Sequence, residues 1–448
     1  MNPGEVVGLQ ENSIVTGWGY SEHAMRDEEA KSILSEAFAQ WDLSKRRVLV
    51  LLPDGTRSAP IPLVFHEICE ALYGRAARLD FMIALGTHRE MSAEALERHL
   101  GISREQRNHR YPEIEVYQHE WKDSNALVEL GRIPIDKLHA ASRGVLPREV
   151  RVQINRRILD YDTIMICGPV FPHEVIGYSG SSAYLFPGIS GVDLLDVIHM
   201  VEGLLTSSQV IGRKWNPARL LLDQAMEMVP CSLLAVHLVV VPESHAGQGG
   251  LMGLYTGGMH QSWSAAADLS SQVNVNYVEK PYQTVLSIIP KMYEDLWTGA
   301  KGMFKVDPAV VDGGEVILYA PHITELSYSH GHILREIGYH VIDYFTKQWE
   351  RFKSYPIGVL SHATEVVGAG CYEEGIESRR IRLRMATGIP PELCRQVGLE
   401  YMEPAEVRLE DYAGREEQGI LLVPKAGEIL YQLKSRQALY NVPLEYTG

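Results

Sequence analysis

Residues 46–57 read RRVLVLLPDGTR, and the character of this stretch decides the fold class. Arg46 to Pro53 is a continuous apolar run of strand length, without alternation of polar and apolar positions. A strand of unbroken Val and Leu has both faces covered, as in a parallel sheet flanked by helices. Asp54-Gly55 ends the run. PLVFHEICEALYG (62–74) then spaces Leu63, Ile68 and Leu72 as the apolar stripe of a helix.

The same rhythm extends outward through the first 240 residues. RLDFMIALG (78–86) reads as a second strand, ending in THREMS. SAEALERHLG (92–101) reads as a helix capped by its serine and stopped at Gly101. IEVYQHEW (114–121), VRVQINRRI (150–158), DTIMICGPV (162–170) and SLLAVHLVVVP (232–242) supply further strands. From Gly247 to Gly258 the run GQGGLMGLYTGG suggests a hinge or linker. Beyond it, SWSAAADLSSQV and YQTVLSIIPKMYEDLWTG read as helical, and EVILYAP, YPIGVLSH and GILLVP as strands. The expectation is an α/β protein of two domains with largely parallel sheets, 1–262 and 263–448. The tail is free to pack back on the first domain.

Composition narrows the function. The 448 residues carry 42 Lys+Arg against 57 Asp+Glu, a formal net charge of −15. So acidic a chain argues against sequence-independent nucleic-acid binding, which needs clustered cations. No apolar run reaches the roughly 18 residues that span a bilayer, so no membrane is expected. MNPGEVVGLQENSIV lacks the cationic start and apolar core of a signal peptide. Five cysteines, scattered and odd in number, suit a reducing cytoplasm.

Open parallel sheets bind ligands beyond the carboxyl ends of their strands. Three polar clusters fall there: Asp54 with Arg57, then Thr87, His88 and Arg89, then His173. Each has an ordinary reading. Asp54 and Thr56 can simply cap a helix, Arg57 can be a surface ion pair, and a histidine after a strand can be a turn residue. Their convergence on one crevice favours chemistry. The guanidinium of Arg57 is a planar fork for a carboxylate. Two histidines can take and return protons near neutral pH, and on opposite faces of an anchored hydroxyacid they would suit stereochemical inversion. HEVIGYSGSSAYLFPGISG (173–191) is rich in small residues that can bring amides near an anion, with neither Rossmann nor Walker spacing. His199 lies in the helical DLLDVIHMVEGLL, outside any multi-ligand spacing.

Taken together, DGTR (54–57), GTHR (86–89) and the H-x3-G-[FY]-S-G…P-G block (173–188), followed by His199, resemble the nickel-pincer lactate racemase superfamily. The resemblance covers the first 200 residues well. It implies a two-domain α/β fold with an interdomain site and interconversion of 2-hydroxyacid stereoisomers. Its cofactor is a pyridinium mononucleotide that binds nickel through one ring carbon and two sulfurs, and enzymes that synthesise it act as loading partners. By this resemblance His88 and His173 are the acid/base pair and His199 the metal ligand. Asp54, Arg57, Tyr282 and Gln283 bind substrate, while Thr87, Ser179, Gly180, Ser181 and Ser182 hold the cofactor. Two departures stand out. Ala183 occupies the position of the tethering lysine, which implies a non-covalently held cofactor, and Leu286 occupies that of a second lysine. The implied substrate is therefore a 2-hydroxyacid other than lactate, larger or sugar-derived. The alternatives are a cofactor-free or divalent-metal enzyme acting on a sugar acid, or a non-catalytic hydroxyacid-binding protein. His322, His330, His332, His340 and His362 are further candidates for substrate hydroxyls or a second metal. Trp297, Trp349 and Tyr344 read as core, and the charges of GCYEEGIE and ESRRIRLR as solvated faces. Whether the chain forms a homo-oligomer stays open.

Overall fold

The structure is a computed structural model that describes residues 15–242 and 249–444. The N-terminal stretch examined for a signal, apart from Val15, lies outside the described residues, as do Gly247 and Gln248 of the glycine-rich run.

The first sheet has seven strands: β1 (Thr16–Gly19), β2 (Arg47–Pro53), β3 (Arg78–Ala84), β4 (Val116–Gln118), β5 (Thr163–Pro169), β6 (Ser232–Val241) and β7 (Gly250–Gly257). Their order is β1-β7-β6-β5-β2-β3-β4. The run β6-β5-β2-β3-β4 is parallel, as the unbroken apolar strands require. Every residue of β5 is buried. The stretch expected to be a hinge is instead β7, an antiparallel strand between β6 and β1. Its glycines serve close approach: a Cβ on Gly253 would lie 2.5 Å from a Leu269 methyl. VRVQINRRI forms no part of this sheet, since Val150–Asn155 pairs with Leu127–Ile133 in a separate ribbon.

The second sheet is wholly parallel: β8 (Tyr282–Ile288), β9 (Val310–Ala320), β10 (Arg382–Thr387), β11 (Glu400–Met402) and β12 (Ile420–Val423), in the order β11-β10-β9-β8-β12. Three expectations need correction here. YQTVLSI is strand β8, because a short buried run cannot be assigned to helix or strand by periodicity alone. YPIGVLSH contributes to a helix, Ile357–Val367, buried at all eleven positions; a helix buried on every side shows no separate solvent-facing stripe. Within ESRRIRLR runs β10, where Leu383 and Met385 are buried and Arg382 and Arg384 pair with Glu400.

Helices cover both sheets. Val192–Leu205 from the first half and Ile357–Val367 from the second cross closely, and glycine permits it. A Cβ on Gly203 would sit 2.4 Å from Ser361 Oγ, and one on Gly358 would sit 2.4 Å from Asp196 Oδ1. The C-terminal segment returns to the first half: Lys214 N–H donates to the Tyr440 carbonyl, and Leu444 N–H donates to that of Trp215. No helix among the described residues is long and apolar enough to cross a membrane.

Candidate active site

A cleft of about 1050 Å³, its open mouth included, lies at the carboxyl ends of β2, β3 and β5 and is closed on the far side by helices of the second half. From the first half come Asp54, Arg57, Thr87, His88, His173, Ser179, Gly180, Ala183 and His199. This convergence is what strand-end polarity predicts.

The three histidines are held in definite tautomers. His88 Nδ1–H donates to Asp54 Oδ2 at 2.5 Å, leaving Nε2 as the exchanging nitrogen. The other Asp54 oxygen accepts from Thr56 Oγ1 at 2.6 Å and Thr56 N–H at 3.1 Å. Burial alone would raise the Asp54 carboxyl, but His88, Arg57 and Thr56 outweigh it and hold it well below the carboxylate range. His173 shows the reverse arrangement: Val175 N–H donates to its Nδ1 at 3.2 Å, which places the proton of the neutral ring on Nε2. Burial, with the nearby cations Arg57, Lys305 and Lys301, outweighs Glu174 and lowers His173 to about 3. Beside it, Glu174 is lowered to about 2; burial opposes this, and His173, Lys301 and Lys305 overcome it. His199 Nδ1–H donates to the Leu195 carbonyl one helical turn back at 2.8 Å, so its Nε2 keeps a lone pair. A carbonyl that orients one imidazole nitrogen while the other stays free is the usual support of a metal-ligating histidine.

Arg57 donates to Thr56 Oγ1 at 2.9 Å and lies 5.5 Å from the Phe171 ring centroid. Lys305 is buried beneath, donating to the Pro172 carbonyl and so bracing the strand pair Pro172–His173 and Gly177–Tyr178.

In the Gly/Ser-rich segment, the hydroxyls expected to hold a cofactor are engaged within the protein. Ser179 Oγ donates to the Pro169 carbonyl at 2.9 Å. Ser181 N–H donates to His237 Nε2 at 3.0 Å, and its hydroxyl to the Met259 carbonyl at 3.3 Å. Ser182 Oγ donates to Asp223 at 2.7 Å and accepts from Arg219 at 3.1 Å. Ser179 and Gly180 line the cleft, whereas Ser181 and Ser182 do not. Gly180 takes φ +87°, and a Cβ there would meet Val170 at 2.6 Å. Ala183, where the tethering lysine would stand, does line the cleft.

Tyr282 and Gln283 lie elsewhere. They open β8 at its amino end, and the Gln283 amide donates to the Gly313 carbonyl on the surface. Leu286 is fully buried in the second sheet. The lysine of this wall is Lys301, only 7% exposed, with its ammonium 5.1 Å from the Tyr293 ring centroid. Burial, then Arg57, outweighs Glu174 and lowers it to about 8. The signal was present: Trp297-Thr298 followed by Lys301 repeats the aromatic-polar-x-x-Lys spacing expected after Tyr282-Gln283. Trp297, read as core, lines the cleft with its ring stacked on His362 at 3.5 Å. His362 and Glu365 complete this wall, the latter without any sequence expectation. His322 Nε2–H donates to the Tyr293 carbonyl at 3.1 Å, and His330 packs on Trp297. His340 pairs with Glu377 away from the cleft, and His332 is exposed.

Comparison with known proteins accords with this geometry. Residues 20–211 match the family described as lactate racemase N-terminal domain. This stretch of the chain is a domain of the lactate racemase N-terminal type. It is 22% identical over 284 residues to the lactate racemase of Thermoanaerobacterium thermosaccharolyticum, a match spanning 62% of this chain and 60% of that protein. A crystal structure of a Thermotoga maritima protein superposes with TM-score 0.83 at 30% identity, covering 92% of this chain and 99% of that one. The lactate racemase apoprotein of T. thermosaccharolyticum superposes with TM-score 0.67 at 15% identity, over 94% of this chain and 100% of that one, which shows a shared fold.

Proposed function

We propose that the protein is a racemase or epimerase of a 2-hydroxyacid other than lactate, working with a nickel-pincer nucleotide held non-covalently. The observation that carries this reading is the opposed proton placement of the two cleft histidines. Asp54 takes the Nδ1–H of His88, so Nε2 is the nitrogen that receives a substrate proton. Val175 donates to Nδ1 of His173, so Nε2–H is the group that gives one. One base and one acid flanking a carbinol are what inversion at that carbon requires.

The residues present fit the cofactor. His199 would hold the metal through Nε2, the nitrogen its Leu195 hydrogen bond leaves free. Ala183 leaves room where a covalent attachment would start, and the serine hydroxyls of that segment are already engaged, so the nucleotide's anchorage falls to His199 and the cleft cations. When bound, the cofactor supplies an acceptor for the hydrogen on the substrate Cα. The chain's own residues do the rest. Arg57 and Lys301 meet the carboxylate, His88 removes the hydroxyl proton, and His173 returns a proton from the other side. A cofactor-free enzyme would leave His199 Nε2 without a task.

The test is nickel content by native mass spectrometry and elemental analysis, after co-production with cofactor-synthesis enzymes. About one nickel per chain, with an adduct that leaves on denaturation and fails to load in His199→Ala, is the expected result. Protein that stays empty, or a nickel load unchanged in His199→Ala, sinks the reading.

A further inference from the structure

The second-half wall of the cleft carries two buried polar groups, and one of them has an atom with nothing to bond. His362 is 3% exposed and Glu365 4%, and both line the cleft. They sit three residues apart on helix Ile357–Val367, and so on one face of it. His362 Nε2–H donates to the Trp297 carbonyl at 3.0 Å, while its ring lies flat on the Trp297 ring, 3.5 Å apart and 4° from parallel. That pair of contacts fixes both ring orientation and tautomer, so Nδ1 is an acceptor. Nδ1 has no partner, whereas Glu365 shares a hydrogen bond with the Glu202 carboxyl of the crossing helix. Buried polar atoms are nearly always satisfied, and each one left unpaired costs about 1–3 kcal/mol.

We infer that His362 and Glu365 form a distal subsite that reads a hydroxyl beyond the reacting carbon, so that the substrate is a polyhydroxy acid. The inference rests on the 2-hydroxyacid reading above and names its substrate class. Hydroxyls suit the pair because one donates to Nδ1 and a neighbouring one can donate to a carboxyl oxygen of Glu365. An alkyl chain would leave Nδ1 unpaired, and a site built to hydrogen-bond a hydroxyl discriminates strongly against the analogue lacking it. An ammonium would enter a cleft that already holds Arg57 and Lys301.

The experiment is isothermal titration of cofactor-loaded protein with gluconate, a six-carbon aldonic acid, and with 2-hydroxyhexanoate, equal in length but without further hydroxyls. The wild type should bind gluconate at least about 10-fold more tightly, from one unpaired group or more. His362→Phe, which keeps the stack on Trp297, should reduce the preference to less than about 3-fold. His362→Asn, which can place an acceptor near the Nδ1 position, should restore part of it. Equal affinities in the wild type overturn the subsite, even if no variant folds. So does a preference that survives His362→Phe, or a nickel content that falls with it, since the unpaired nitrogen would then serve the cofactor. Stereochemical turnover is followed separately by chiral chromatography. Preference without turnover breaks the racemase reading and leaves the subsite; turnover of both acids with equal affinity does the reverse.

Discussion

The two walls of the cleft are built on different principles. On the first-half wall each histidine has one nitrogen committed to the protein: His88 to Asp54, His173 to Val175, His199 to Leu195. What remains free on each ring is a single nitrogen of known character. The second-half wall offers Lys301, Trp297, His362 and Glu365, of which His362 leaves its Nδ1 unpaired. One wall is internally complete and suited to moving protons. The other is complete only with a ligand, and so suits recognition. Substitutions on the first should therefore act on kcat and those on the second on KM.

The largest expected effect tests the first half of that statement. His88→Ala should lower kcat by about 10³-fold, the middle of the range for a lost general base, with substrate Kd changed less than about 3-fold. Asp54→Asn should follow in the same direction but by less, because the ring keeps its place while losing its orienting charge. A His88→Ala variant that retains a tenth of the wild-type kcat would remove His88 from the chemistry.

Lys301 tests the second half. Lys301→Met should raise KM by about 10- to 100-fold, the worth of a charged hydrogen bond, while kcat at saturation falls less. Leu286→Lys should not rescue it. Leu286 is fully buried in the second sheet beside Ile317, Ala386 and Met402, so a lysine there would destabilise the domain without reaching the cleft. Rescue of KM by Leu286→Lys would mean that the lysine assignment is reversed.

Acid stability reports on histidines that are buried neutral, of which His237 lies away from the cleft. His237 is fully buried between Ser181 N–H and Ser262 Oγ, and burial, then Arg219 and His260, lower it to about 3. Unfolded, it titrates near 6.5. Between these values the unfolded chain binds more protons, so stability rises with pH and is lost as pH falls from about 6.5 towards 3. Each such histidine contributes about 1.4 kcal/mol per pH unit across the window. Glu202 acts in the opposite sense. Burial raises it to about 7, so its contribution is lost as pH rises from 4.5 through 7. His237→Gln should be less stable than wild type at pH 8, with the gap narrowing by pH 5. Urea unfolding at pH 5, 6 and 8 measures this, and parallel stability–pH curves for the two proteins would refute it.

The difference between the walls also explains how much could be read from sequence. Asp54, Arg57, Thr87 and His88 follow strands whose apolar runs are unmistakable, and position after a strand is itself a site signal in a parallel sheet. His173 was legible for the same reason, behind β5, whereas His199, on a helix and outside any ligand spacing, was marked only by the resemblance. The second wall is made of helices that show no separate solvent-facing stripe. YPIGVLSH reads as a strand, whereas Ile357–Val367 is a helix buried on every side, so the shared face of His362 and Glu365 was invisible. Lys301 was overlooked because the family's aromatic-polar pair was matched to Tyr282-Gln283, which placed the expected lysine at Leu286. The serines of residues 179–182 misled for another reason: a small polar loop looks the same whether its hydroxyls face a ligand or, as here, Asp223, Arg219 and backbone carbonyls.

The smallest expected effect is the sharpest test of where the second wall lies. Gln283 is exposed, its amide reaches only the Gly313 carbonyl at 3.3 Å, and its backbone N–H donates to Gly419. The backbone bond survives substitution. Gln283→Ala therefore removes one solvent-exposed hydrogen bond at the amino end of β8, while the cleft lies beyond the carboxyl end. The expected change is less than about 0.5 kcal/mol in stability and less than 2-fold in kcat/KM, as for a surface site without special features. Tyr282→Phe should behave alike in kinetics. Were Gln283→Ala to cost 10-fold or more in kcat/KM, about 1.4 kcal/mol of transition-state binding would have to come from a residue at the wrong end of its strand. The recognition wall would then have to include the amino end of β8, and Trp297 and Lys301 would no longer suffice to define it.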